Sequence, residues 1–246
     1  MTVTQSGLPA PGGRGRRSAR VWDARAESWD AQGTDGPGFA RILAAVLTAA
    51  AAAPSDRVVD LGAGTGFLTL PLAAASGSVL AVDVSQRMLD RLALAAAAQG
   101  SPAARVRVLR ADLASFDLPP ASVDVVVSCY ALHHLSHKDK RRLLERAAAW
   151  LRPGGRLVVA DMMFGRGTTR RDRGIAAQQA RAMLAKGLPG AWRLLRNVVR
   201  LGLGLGEDRP APPTFWTSAA RAAGLDGVRY EPIVAEAGLL TAIKPG

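Results

Sequence analysis

A run of glycines between aspartates carries the first chemical signal in the chain. The stretch VVDLGAGTGF places Gly62, Gly64 and Gly66 just after an apolar run, with Asp60 before them and Phe67 after them. Glycine removes the side chain at these positions, so a ligand can lie against bare backbone. Asp83 ends a second apolar run, VLAVD, and its carboxylate can accept hydrogen bonds from both hydroxyls of a ribose. Phe67 stands where the dinucleotide pattern G-x-G-x-x-G requires a glycine for packing around a pyrophosphate. The Lys-Ser/Thr pair of a phosphate-gripping loop is missing too. Together these residues describe a site for a ribose-bearing molecule without phosphate.

Such a site must be positioned by strands and helices, and the hydrophobic periodicity supplies them. Apolar runs predict strands over 57–61, 79–84, 105–110, 123–128 and 156–161, with helices near 39–53, 66–75, 86–98 and 138–151. Ser136 followed three residues later by Asp139 fits a capping box for the last of these helices. Its Leu143, Leu144, Ala147, Ala148 and Leu151 form one apolar face, and Pro153-Gly154-Gly155 turns the chain into the next strand. This alternation predicts a doubly wound α/β fold, with its ligand at the carboxyl ends of the strands. The pattern breaks after Phe164: residues 165–213 show no strand run, only helix-like segments at 175–186 and 191–203. A helix at 214–223 and closing strands at 228–234 and 239–244 complete the reading.

Composition narrows the setting. At 246 residues and almost half hydrophobic, the chain can bury a core without disulfides. Cys129 is its single cysteine, so no internal disulfide forms and no cysteine metal cluster is expected. No stretch approaches the ~20 apolar residues that cross a bilayer, and a cytoplasmic location is expected. Residues 1–20, rich in Gly, Pro, Ser and Arg, read as a disordered basic tail before a single domain over 21–246. The net charge of +12 raises the question of a nucleic-acid partner. The excess is nearly all arginine, with lysine only at 138, 140, 186 and 244, alongside abundant Ala, Gly and Pro. That is the mark of GC-rich coding, and a nucleic-acid partner is not expected.

The motifs VVDLGAGTG, VLAVDVSQRML, RADLASFDLP, DVVVSCYALHHL and LRPGGRLVVADMMF occur in the order found in class I S-adenosylmethionine-dependent methyltransferases, and the chain resembles that family from about Trp22 to Phe164. The resemblance implies a Rossmann-like seven-stranded sheet in the order 3-2-1-4-5-7-6, its seventh strand antiparallel, with 165–213 as a helical insertion after strand 5. It also implies S-adenosyl-L-methionine as cofactor. Asp60 then anchors the methionine amino group, and Gly62, Gly64 and Gly66 pass under the methionine and ribose. Asp83 holds the ribose hydroxyls, Met88 packs on the adenine, and Asp112 accepts from the adenine amino group beside the Leu113 backbone. Ser128 and Cys129 lie where the chain passes the methionine end. VWDARAESWDA resembles the aromatic segment that relatives fold over the cofactor, with Trp29 where a tyrosine is more usual. Trp22 and Trp29 either shield the sulfonium through their aromatic faces or simply pack.

Methyl transfer from a sulfonium is an in-line displacement with an activated leaving group, so positioning of the nucleophile supplies much of the rate. A hydroxyl or ammonium acceptor also needs a base. Tyr130, His133 and His134 follow the fourth strand, and a histidine has the intrinsic pKa for that task. The alternative is that a histidine caps the next helix or bonds a backbone carbonyl. Asp161 either orients substrate or caps a turn. SCYA is not the segment of exocyclic-amine methylases, Cys129 lacks the preceding proline of cytosine-C5 enzymes, and Met162 breaks the Asp-Asn metal pair of catechol-type enzymes. A small-molecule acceptor and no metal ligands are therefore expected.

The insertion is expected to cap the acceptor. Arg193, Arg196 and Arg200 form a basic stripe over 191–203, beside Trp192, Leu194, Leu195, Val198 and Val199. That stripe suits a lid or dimer helix, an apolar substrate, or peripheral contact with an anionic membrane surface. An RNA or protein methyltransferase using the basic insertion, and a non-catalytic cofactor-binding module, remain the other functional readings.

Overall fold

Every strand that the periodicity predicts is present, most of them shifted by no more than two residues. The computed structural model describes residues 13–29, 37–100, 105–165, 170–184 and 208–246. Its strands are β1 (Arg57–Leu61), β2 (Ser78–Asp83), β3 (Val106–Arg110), β4 (Val123–Cys129), β5 (Leu151–Met162), β6 (Asp226–Pro232) and β7 (Ala237–Ile243). The helices are α1 (Gly13–Trp29), α2 (Pro37–Ala50), α3 (Thr69–Ala75), α4 (Gln86–Ala98), α5 (His137–Trp150), α6 (Arg170–Leu184) and α7 (Pro213–Ala222). The sheet order is β3-β2-β1-β4-β5-β7-β6. β1 to β5 pair in parallel, while β7 runs antiparallel to both β5 and β6. This is the seven-stranded Rossmann-like sheet, with its antiparallel seventh strand, that the family resemblance implies.

Alternation along the strands divides the core into two layers. Val59 and Leu61 of β1 and Val126 of β4 point toward Leu143, Leu144, Ala147 and Trp150 of α5 and Trp216 of α7. Val58, Val125 and Val127 point the other way, onto Ile42 and Val46 of α2 and Leu72 and Ala73 of α3. Both faces are covered, so the central strands read as nearly continuous apolar runs.

Helix α5 starts where the capping pair predicts. Ser136 Oγ accepts from the Asp139 amide at 3.1 Å and donates to Asp139 Oδ2 at 2.5 Å. Its end differs from the sequence reading. β5 begins at Leu151, directly after the helix, and the Pro153-Gly154-Gly155 turn lies inside the strand. The register jumps from Val123↔Leu151 to Val125↔Arg156, so the extra residues form a bulge.

The tail also differs. From Gly13 onward the chain is helical, so the expected disorder is overturned for residues 13–20; residues 1–12 lie outside the described residues. Gly15, Ala19, Trp22 and Ala26 recur on one face of α1, and Ala19 and Ala26 are buried. Arginine is a good helix former, so a basic composition does not oppose this helix once one face packs against α4. In the insertion, α6 contains most of the helix-like segment expected at 175–186, beginning five residues before it, while the basic stripe over 191–203 lies outside the described residues. Among the described residues, no helix is long and apolar enough to cross a membrane.

Candidate cofactor and acceptor site

A cavity of about 310 Å³ opens at the carboxyl ends of the strands. Its floor is the loop after β1, where the Gly62 and Ala63 amides donate to Val82 O at 2.8 and 3.0 Å. These bonds need a tight turn, and Gly62 and Gly64 take positive φ angles of 78° and 54°. A Cβ on Gly62 would meet the Ala131 Cβ at 2.2 Å, whereas one on Gly64 would meet nothing within 4 Å. Gly62 is therefore required by a neighbouring loop, and Gly64 leaves space for a ligand. Gly66 does not line the cavity; its missing side chain makes room for Leu92 and Leu70.

Two aspartates line the cavity with their oxygens already oriented. Asp83 Oδ2 accepts from the Gly64 amide and Oδ1 from the Ser85 amide, both at 2.9 Å. Burial raises its pKa, and these backbone bonds oppose the rise. Asp112 Oδ1 accepts from the Ala114 amide at 2.9 Å, so this residue forms a local turn and faces the cavity as well. Met88, Leu113 and Cys129 also line the cavity. Burial pushes the Cys129 thiol pKa up, which keeps it protonated and unreactive.

Asp60 and Ser128 lie behind the wall. Asp60 is 1% exposed and accepts from Thr69 Oγ at 2.6 Å. Burial raises its pKa to about 7, opposed by the Thr69 bond and assisted by the nearby Asp83 charge. Ser128 Oγ donates to Leu61 O at 2.7 Å and ties β4 to the end of β1.

The loop after β4 separates the three candidate proton-transfer residues. Tyr130 and His134 line the cavity; His133 does not. Tyr130 adopts a φ of 50°, rare for a residue with a side chain, and its hydroxyl donates to Glu236 Oε1 at 3.4 Å. Burial, with the Glu236 charge behind it, raises the Tyr130 pKa. His133 is buried, and Asp161 takes both of its inner polar groups: the backbone amide at 3.0 Å and Nδ1 at 2.6 Å. Burial opposes its protonation, but the Asp161 carboxylate outweighs that, so the pKa is raised. Asp161 thus orients His133, and neither residue lines the cavity. His134 Nδ1 lies 3.2 Å from Asp208 Oδ1. Among the described residues, His133, His134 and Asp208 bring their ligand-type atoms within 4.8 Å of one another.

Several wall residues carry no sequence signal of their own. Phe39 of α2 meets Phe67 edge-on at 5.8 Å and Tyr130 at 5.4 Å, making an aromatic wall. Gly15 and Ser18 join Trp22 in the wall from one face of α1. The Trp29 side chain lies outside the described residues.

Comparison with known proteins identifies the family. The family described as Methyltransferase domain matches residues 58–155. An uncharacterized methyltransferase of Geobacillus thermodenitrificans (strain NG80-2) is 31% identical over 170 residues, covering 69% of this chain and 72% of the relative. The chain spans 64% and 48% of the length of two other curated relatives that it matches. Two solved structures share the fold: the [4+2]-cyclase SpnF, with a TM-score of 0.67 at 18% identity over 98% of this chain and 99% of that one, and the DhpI–SAH complex, with 0.64 at 18% over 95% and 98%. Sheet order, glycine floor and carboxylate pair converge with these relatives on one conclusion: the chain belongs to the class I S-adenosylmethionine-dependent methyltransferases.

Proposed function

We propose that this chain transfers a methyl group from S-adenosylmethionine to an oxygen, nitrogen or carbon of a small molecule in the cytoplasm. The observation that carries the reading is the pairing of a side-chain-free floor at Gly64 with the Asp83 carboxylate bonded to it. Asp83 is held in place by the Gly64 and Ser85 amides and keeps acceptor capacity for a ribose hydroxyl. Met88, Asp112 and Leu113 continue the wall on the side suited to a base, so the residues present fit the cofactor. When bound, the cofactor supplies an electrophilic methyl group on a sulfonium.

The chain contributes position and proton handling. Phe39, Phe67 and Tyr130 give the cavity an apolar aromatic wall, which favours an apolar acceptor and excludes water from a cationic centre. His134 and Tyr130 are the wall residues able to meet an acceptor proton, and the raised pKa of Tyr130 leaves it a hydrogen-bond donor. His133 holds the loop in place through Asp161.

Calorimetric titration with S-adenosylmethionine and with its demethylated product should show saturable binding of both. Labelled-methyl transfer into fractionated extracts from the source organism then identifies the acceptor as a small molecule. Absence of binding would sink the reading, and label entering RNA or protein would replace the acceptor class.

A further inference from the structure

Resting on the methyltransferase reading, we propose that Asp208 is a positioning residue that aims the His134 imidazole as the proton acceptor of the reaction. An ionised carboxylate only accepts hydrogen bonds, so the 3.2 Å contact with Asp208 Oδ1 puts the ring proton of neutral His134 on Nδ1. The lone pair is then on Nε2. That atom is buried and has no hydrogen-bond partner, although its residue lines the cavity. A buried imidazole nitrogen without a partner is expensive to keep unless a bound molecule completes it. Trp22 and the His133 ring pack against it, with centroids at 5.1 and 4.0 Å, and limit how the ring can turn.

Asp208 is carried to this place by its own backbone. The Arg209 amide donates to His133 O at 2.7 Å, and the buried Lys140 ammonium donates to Arg209 O and to Leu135 O. The chain returning from the insertion is thereby clamped to the loop after β4. The Asp208 carboxylate is 59% exposed, so burial did not force this pairing. Its pKa is lowered, chiefly by the His134 hydrogen bond, which keeps it ionised. His133 Nε2 is farther away, at 4.0 Å, and His133 has its own carboxylate in Asp161.

In the step this arrangement serves, the acceptor heteroatom forms a bond to the methyl carbon as the carbon–sulfur bond breaks. The electron pair of that bond leaves with sulfur. The acceptor proton passes to His134 Nε2, and the resulting imidazolium faces the Asp208 carboxylate through Nδ1–H. Solvent later removes the proton.

The test uses the full chain, free of an affinity tag, washed with chelator and labelled with nitrogen-15. Long-range proton–nitrogen spectra distinguish the ring tautomers of the three histidines, with His137→Gln and His133→Gln assigning the signals. His134 should show a protonated Nδ1 and a bare Nε2, and Asp208→Asn should mix the two tautomers. Asp208→Asn should also bind S-adenosylmethionine within about 2-fold of the parent while slowing label transfer into extract acceptors at least about 10-fold, with Asp208→Glu restoring part of the rate. A His134 ring protonated on Nε2, a full rate in Asp208→Asn, or zinc added at one equivalent capturing His134 Nδ1 would overturn the proposal. Failure of cofactor binding would instead remove the methyltransferase reading and leave the tautomer result standing.

Discussion

Gly64 donates its backbone amide to Asp83 Oδ2 at 2.9 Å, so the loop that makes the cavity floor also aims the carboxylate above it. The second oxygen of Asp83 is held by the Ser85 amide at 2.9 Å, so both oxygens are fixed in direction. A pre-aimed carboxylate loses little freedom when a sugar arrives.

Asp83→Ala should weaken S-adenosylmethionine binding by roughly 10- to 100-fold, the usual worth of hydrogen bonds to a charged group. Calorimetry with the cofactor and with an analogue lacking the ribose 2′-hydroxyl separates this from general damage. The parent should discriminate between the two ligands, and the variant should not.

The two floor glycines should respond differently to alanine. In Gly62→Ala the new Cβ collides with Ala131 as well as occupying a positive φ, while Gly64→Ala has only the backbone strain, about 1–2 kcal/mol. Thermal melting should drop further for Gly62→Ala. Gly64→Ala should lose cofactor affinity while keeping most of its stability, because its methyl enters the space left for the ligand. Equal melting losses would remove the distinction drawn between these positions.

Asp60 gives a pH dependence with a defined sign. Its folded pKa of about 7 lies above the ordinary value of 3.8, so the folded state binds more protons than the unfolded one between these limits. Its favourable contribution is complete below about pH 4 and is lost as the pH rises through about 7, by at most about 4 kcal/mol. Asp60→Asn keeps an acceptor for Thr69 Oγ and removes the titration, so its stability between pH 4 and 8 should be flatter and higher at pH 8. Denaturant melts across that range provide the check. Cofactor affinity in the same variant should fall if Asp60 anchors the methionine end, as the family resemblance implies.

Lys140 ties the chain beyond the insertion to the site. Lys140→Met removes the donor from the part-buried Leu135 O and Arg209 O, which should cost about 1 kcal/mol for each bond lost. Hydrogen exchange at the Arg209 amide should accelerate, since that amide bonds His133 O only while the clamp holds. Unchanged exchange would mean the clamp does not depend on the ammonium.

Much of this architecture was legible because strands and their following helices carry local signals. β1 and α4 start and end where their apolar runs do, and the Ser136–Asp139 pair marked the start of α5. Gly62, Gly64, Asp83, Met88 and Asp112 could be read as a group from motif order, and they share one cavity. Contacts made only in three dimensions were not legible. Gly66 reads like its neighbours in sequence yet packs against Leu92 and Leu70, and nothing near Phe39 announces that it meets Tyr130, ninety-one positions later. Helix α1 was missed because a Gly- and Arg-rich composition says nothing of the α4 surface that stabilises it. Asp208 was passed over because its partner His134 is reached only after the insertion closes a long loop.

One carboxylate oxygen on α1 joins the wall of the cavity to α4. Asp23 Oδ1 accepts from Ser85 Oγ at 2.6 Å and from the Arg87 amide at 3.2 Å, while Ser85 Oγ caps α4 through the Met88 amide. The same bonds hold α1, and with it Gly15, Ser18 and Trp22 of the cavity wall, against the first turn of α4. A single acidic side chain on the first helix thereby fastens the rim of the cavity to the helix that follows the second strand.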